Sequence, residues 1–144
     1  MRGLLGIGDM TAKALHAMGM VALSENGSPL SASGVARRLK ASLHTSRIVM
    51  TRLGRAGLVK TVRGRQGGFR LGRPAVRITL WDIVAVFESH ASRRACLFSR
   101  PVCAEGTVCP FAPLARDSGE LMENYLRGTS LADIAALLAD QEQP

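Results

Sequence analysis

The chain has 144 residues, 47% of them hydrophobic, which is enough core for one domain with a helical extension and too apolar for a disordered tail. No run approaches the ~18 apolar residues of a membrane span, and Asp9, Lys13 and His16 interrupt a start that otherwise faintly resembles a secretion signal. A soluble, cytoplasmic protein with no membrane partner is therefore expected, carrying a net charge of +8 that is spread very unevenly.

Met10, Ala14, Ala17 and Val21 recur at helical spacing and predict a helix over about residues 9–24, ended by Asn26-Gly27-Ser28-Pro29. Ser31 is the expected N-cap of a short helix carrying Val35, Ala36 and Leu39. After a break at Lys40-Ala41-Ser42, a third helix runs from about His44 to Ala56. Its inward side is Val49, Met50 and Leu53, and Gly57 stops it. Residues 58–62 and 69–71 have strand character, and Arg63-Gly64-Arg65-Gln66-Gly67-Gly68 between them predicts a hairpin tip of glycines and cations.

Pro74 closes the hairpin, and Thr79 caps a helix from Leu80 to about Glu88 with Asp82 in its first turn. Periodicity then stops, and residues 90–109 form a stretch that holds all three cysteines. A longer helix follows from about Pro110 to Arg127, where Leu114, Leu121 and Tyr125 make a narrow seam suited to a partner helix. Gly128 breaks it, and Thr129 or Ser130 caps a last amphipathic helix through Ile134, Leu137 and Leu138.

The order helix, helix, turn, helix, basic hairpin is that of a winged helix-turn-helix. The expected fold is mainly α with a small β-hairpin wing and a long dimerisation helix. Residues 1–77 are expected to form the DNA-binding domain, and residues 78–144 a helical dimerisation region with the cysteine loop.

From Ala36 to Arg77 there are twelve Lys/Arg and no Asp or Glu, whereas the remainder has seven basic and eleven acidic residues. Solvated surfaces mix their signs because like charges repel, so one acid-free block predicts a polyanion partner. The low aromatic content, 4%, argues against a single-strand binder, which needs stacking platforms, and favours double-stranded DNA. In the third helix His44, Thr45, Ser46, Arg47, Thr51, Arg52 and Arg55 are the candidate contacts, with Arg47 able to bind guanine bidentately. At the hairpin tip, Arg63, Arg65 and Gln66 suit a narrow minor groove. No phosphate-binding loop, nucleophile elbow or acid/base pair is present, so no enzymatic activity is expected.

Cys96, Cys103 and Cys109 are separated by six and then five residues. Three is an odd number for a disulfide framework. The spacing also matches neither a zinc finger nor a ferredoxin. What remains is three soft thiolates able to converge on one metal centre, with Arg93, Arg94 and Arg100 nearby to favour the thiolate form. Structural zinc and a metal-free thiol switch remain open at this point.

Taken together, these segments resemble the IscR and NsrR family of iron–sulfur transcription regulators. The resemblance is carried by Gly57-Leu58-Val59, by the wing from Val62 to Leu71, by Ile78-Thr79-Leu80-Trp81-Asp82-Ile83-Val84, by the three cysteines and by Leu131-Ala132-Asp133-Ile134. It implies a homodimer through the long helix, a partly palindromic operator and an iron–sulfur cluster held by the three cysteines. IscR-like members place a histidine three residues after the last cysteine, where this chain has Ala112. NsrR-like members use an aspartate near the start of the first helix, which Asp9 matches, donated to the other subunit's cluster. His16 and His90 are the alternatives for that ligand. Within this resemblance a 4Fe-4S cluster is preferred, and the six-residue first gap, which departs from both subgroups, leaves a 2Fe-2S cluster and the ligand set open. The resemblance implies a repressor that senses nitric oxide or redox stress, or alternatively one that senses iron or cluster supply.

Overall fold

A computed structural model describes residues 7–24, 27–88 and 109–139. Among these the elements run α1 (Asp9–Ala22), α2 (Ala32–Arg38), α3 (Leu43–Arg55), β1 (Val59–Val62), β2 (Gly68–Leu71), a 3-10 turn (Ala75–Arg77), α4 (Leu80–Phe87), α5 (Ala112–Gly128) and α6 (Leu131–Ala139). The chain is a mainly helical winged helix-turn-helix protein with one antiparallel hairpin. The periodicities place every one of these helices, with boundaries shifted by one or two residues.

Helix α1 is the shaft of the fold. Its apolar face, Ala14, Ala17, Met18 and Val21, is fully or nearly fully buried, and Met20 is sealed on another side. Burial extends so far around α1 because α3, α4, α6 and β2 all pack on it. The core continues through Val35, Val49, Met50, Leu53 and Leu58 to Ile78, Leu80, Ile83 and Leu131. Full burial of such side chains contributes about 1.5–3 kcal/mol each. Helix α6 is brought onto this core by a short strand-like crossing, in which Leu80 N–H donates to Thr129 and Leu131 N–H to Ile78.

Local caps fix where each helix starts. Ser31 and Ser42 accept from Gly34 N–H and Thr45 N–H at the starts of α2 and α3. Thr79 and Asp82 form a reciprocal capping box on α4. At α6 the cap is Ser130, paired with Asp133, whereas the Thr129 hydroxyl donates back to the Tyr125 carbonyl. The Ser130 hydroxyl and amide both donate to the Asp133 carboxylate and hold its pKa below the ordinary value.

The wing is a two-stranded ladder in which Val59 faces Leu71 and Val62 faces Gly68. A single bridge between Leu30 and Phe69 adds the entry to α2 along the other edge of β2. Glycine is required at position 68, because a Cβ there would stand 2.5 Å from the Leu30 carbonyl oxygen.

Helices α2 and α3 end in the same way. Ala41 N–H reaches the Ala36 carbonyl and Lys40 N–H that of Arg37; Leu58 and Gly57 repeat the pattern onto Leu53 and Gly54. This double-bonded stop needs one residue in the left-handed region. At α3 that residue is Gly57, with φ 74°, but at α2 it is Lys40, with φ 49°. An L-residue pays a steric penalty in this conformation that glycine does not. Lys40→Gly is expected to raise the unfolding free energy by about 0.5–1 kcal/mol, and Gly57→Ala to lower it by about 1 kcal/mol. Urea unfolding of both variants checks this, and a Lys40→Gly protein less stable than wild type contradicts it.

Candidate functional site

Helix α3 lies across the domain with Ser46, Val49, Met50 and Leu53 buried against the core. The opposite side is solvent-facing and carries His44, Arg47, Ile48, Thr51, Arg52 and Arg55 along a shallow open groove. Thr45 is half-buried, and its hydroxyl bonds the Ser42 hydroxyl at the helix start, 2.8 Å away. The wing tip presents Arg63, Arg65 and Gln66, all exposed.

One of the expected contact residues is placed off this face, and another, Arg52, is shared between the groove and α4. Ser46 is fully buried, and its hydroxyl has no hydrogen-bond partner among the described residues. Its position repeats with Val49, Met50 and Leu53 at helical spacing, so the polar side chain is carried to the core side and away from any ligand on the outer face. Arg52 is turned toward α4. Its guanidinium donates to the Val86 carbonyl at 2.5 Å and lies 4.4 Å over the Phe87 ring. Ile48, which is not among the expected contacts, also belongs to the outer face. His44, Ile48, Thr51 and Arg55 follow the 3.6-residue period, which was the available signal.

The electrostatics of this surface are one-sided. Of the twelve cations between Arg37 and Arg77, Arg73 pairs with Asp82 at 2.9 Å and Arg52 is held on α4. The other ten are Arg37, Arg38, Lys40, Arg47, Arg55, Lys60, Arg63, Arg65, Arg70 and Arg77. They are exposed, and none makes a side-chain hydrogen bond or ion pair with another described residue. They extend over α2, the turn, α3, the wing and the 3-10 turn.

Of the expected metal ligands, Cys96 and Cys103 lie outside the described residues, as does the alternative His90. Cys109 is half-buried and free, and its carbonyl accepts from Ala112 N–H in the turn entering α5. Asp9 opens α1 with its side chain 74% exposed, and its partner is Lys13, one turn on. His16 is taken up elsewhere: Nδ1 lies 2.8 Å from the Leu138 carbonyl, joining α1 to α6.

The N-terminus of α1 is satisfied by a residue that the sequence does not single out. The buried Glu88 carboxylate accepts from Gly8 N–H at 2.8 Å and from the Thr11 hydroxyl at 2.5 Å. An acidic group is favoured at a helix N-terminus. Because Glu88 fills that place, Asp9 is left facing solvent. A free thiol and an exposed carboxylate are chemically suited to a thiolate-rich iron centre with one hard ligand. Among the described residues no three His, Cys, Asp or Glu side chains gather, so a ligand set that includes Cys109 draws on residues beyond these or on a second subunit.

Comparison with known proteins agrees with this architecture. The Rrf2 family model, described as iron-dependent transcriptional regulators, matches residues 7–137. The HTH-type transcriptional regulator IscR of Vibrio vulnificus is 31% identical over 129 residues, spanning 90% of this chain and 74% of that protein. Among solved structures, CymR, the global cysteine regulator of B. subtilis, aligns with a TM-score of 0.74 at 28% identity, covering 91% of this chain and 96% of its own. IscR of T. potens shares the fold, with a TM-score of 0.73 at 23% identity over 96% and 91% of the two chains.

Ser46→Ala is expected to stabilise the protein by about 1 kcal/mol, by removing a buried hydroxyl without a partner, and to leave DNA affinity unchanged. Arg47→Ala is expected to cost about 1–3 kcal/mol of binding and to relax preference at one base pair. Unfolding curves and binding to a panel of single-base operator variants check both. Equal loss on every sequence would make Arg47 a phosphate contact instead.

Proposed function

The chain belongs to the Rrf2 family of transcriptional regulators, and from that premise we propose that it is a homodimeric, iron–sulfur-dependent repressor that senses nitric oxide or redox stress. The observation that carries the DNA-binding part is the set of ten exposed cations without a partner among the described residues. Phosphates supply what the fold withholds. In this reading the outer face of α3, with His44, Thr45, Arg47, Thr51 and Arg55, enters the major groove. Arg63, Arg65 and Gln66 of the wing follow the adjacent minor groove.

Pairing of two copies is supported by α5. None of its residues is buried, and Leu114, Leu121 and Tyr125 stand 57%, 60% and 68% exposed. A second α5 laid along that seam covers them and sets two α3 helices on successive half-sites.

Cys96, Cys103 and Cys109 are the thiolate ligands of the cluster in this proposal, and Asp9 of the partner subunit is the fourth. Such a cluster, when bound, supplies iron that nitric oxide attacks directly. The chain's own contribution is the position of Asp9. It stands in the first turn of α1, beside the Gly8 amide that Glu88 holds. A force on its carboxylate therefore acts on the helix against which α3 packs. The family description and the IscR relatives support iron dependence over structural zinc.

Protein purified without oxygen is expected to be brown, with roughly equal iron and sulfide. Nitric oxide should bleach it and lower its affinity for DNA. A protein that stays colourless after anaerobic reconstitution with iron and sulfide would remove the cluster from this account and leave a DNA-binding regulator.

A further inference from the structure

We propose that Arg52 is a positioning residue for DNA reading: it fixes the tilt of α3 by tying it to the C-terminal end of α4, and it does not contact phosphate. In the sequence it is one more cation of the basic block. In the structure its guanidinium is committed twice. One amino group donates to the Val86 carbonyl at 2.5 Å, and the guanidinium carbon lies 4.4 Å from the centroid of the Phe87 ring, over it.

Both partners suit it. Val86 is in the last turn of α4, where carbonyls lose their helical partners and the helix dipole is negative. No basic residue of α4 itself occupies that turn. Arg52 supplies the missing cation from α3, and the ring face of Phe87 adds a cation–π contact. A guanidinium held by a hydrogen bond and a ring contact at once is fixed more tightly than by either alone.

The geometry gives this contact leverage. The buried residues Ser46, Val49, Met50 and Leu53 set how deeply α3 sits on the core. Arg52 lies toward the other end of the helix from His44, about 12 Å along the axis at 1.5 Å per residue, so a tilt of about 5° at that joint moves the reading end by about 1 Å. Bidentate base contacts do not survive such a shift, whereas phosphate contacts through long flexible side chains do. The next residue, Glu88, binds the start of α1. Three consecutive residues, 86–88, therefore set α3 and α1 against the end of α4.

The test uses full-length protein prepared anaerobically. Its probes are a duplex enriched by the wild-type protein from a random pool and a random-sequence duplex of the same length. For wild type, Arg52→Ala, Arg52→Lys, Phe87→Leu and the double variant Arg52→Ala/Phe87→Leu, affinity for each duplex is measured across a salt series.

A positioning role predicts that Arg52→Ala lowers the ratio of specific to non-specific binding about tenfold with an unchanged salt slope. It also predicts that Lys does not restore the ratio, and that Phe87→Leu, which removes no charge, lowers it too. The double variant should be no worse than the worse single one, since both break one contact. A phosphate contact predicts the opposite: parallel loss on both duplexes, a salt slope shallower by about 1, rescue by Lys and no effect of Phe87→Leu. That pattern would overturn the proposal. Phe87→Leu changes no residue of α3, so the question is still answered if Arg52→Ala folds poorly.

Discussion

Twelve cations within forty-two residues repel one another, and this chain places no carboxylate among them. The rest of the fold is arranged around tolerating that repulsion. A dense apolar core, with α1 at its centre, holds α2, α3 and the wing in place while their outer surfaces carry unbalanced charge. Where the fold does engage a cation of the block it does so for its own architecture: Arg73 braces the start of α4 through an ion pair with Asp82, and Arg52 braces its end through the Val86 carbonyl. The remaining ten stand exposed over α2, the turn, α3, the wing and the 3-10 turn. Self-repulsion of this kind costs stability in the free protein and is returned on binding a polyanion.

The second organising feature is the three-way joint at the end of α4. Val86 and Phe87 engage the recognition helix, and Glu88 engages the first turn of the central helix. The cysteine-bearing stretch follows directly in the chain, and Asp9 sits one residue beyond the Gly8 amide that Glu88 binds. Asp9, the carboxylate expected as a ligand, thus stands next to the joint that ties α3 and α1 to the end of α4.

Much of this was legible in the sequence, and the misses have definite causes. Apolar spacing gave all the described helices, and glycine with strand alternation gave the wing, because both signals are local. Ser46 was misplaced because its chemistry was weighed above its register. It falls on the Val49, Met50 and Leu53 side of α3 and is carried inward whatever its polarity. Ile48 was not among the candidate contacts although it shares their register on the outer face. Arg52 and Glu88 depend on contacts 34 and 80 residues away, respectively, and no local pattern encodes them. The strained Lys40 is equally invisible, since the sequence alone does not say which residue of a turn must be left-handed. The assignment of the cysteines rested on their number and spacing together with the family resemblance, of which the family is now established.

The central claim is that an acid-free cationic surface on a winged helix-turn-helix core is a duplex-DNA interface. The most direct test is the salt dependence of duplex binding by the intact protein. If the exposed cations of two subunits neutralise phosphates together, the logarithm of affinity should fall against the logarithm of salt with a slope of about −5 or steeper. A slope near zero, or binding to single strands as tight and as salt-dependent as to duplex, would contradict the account.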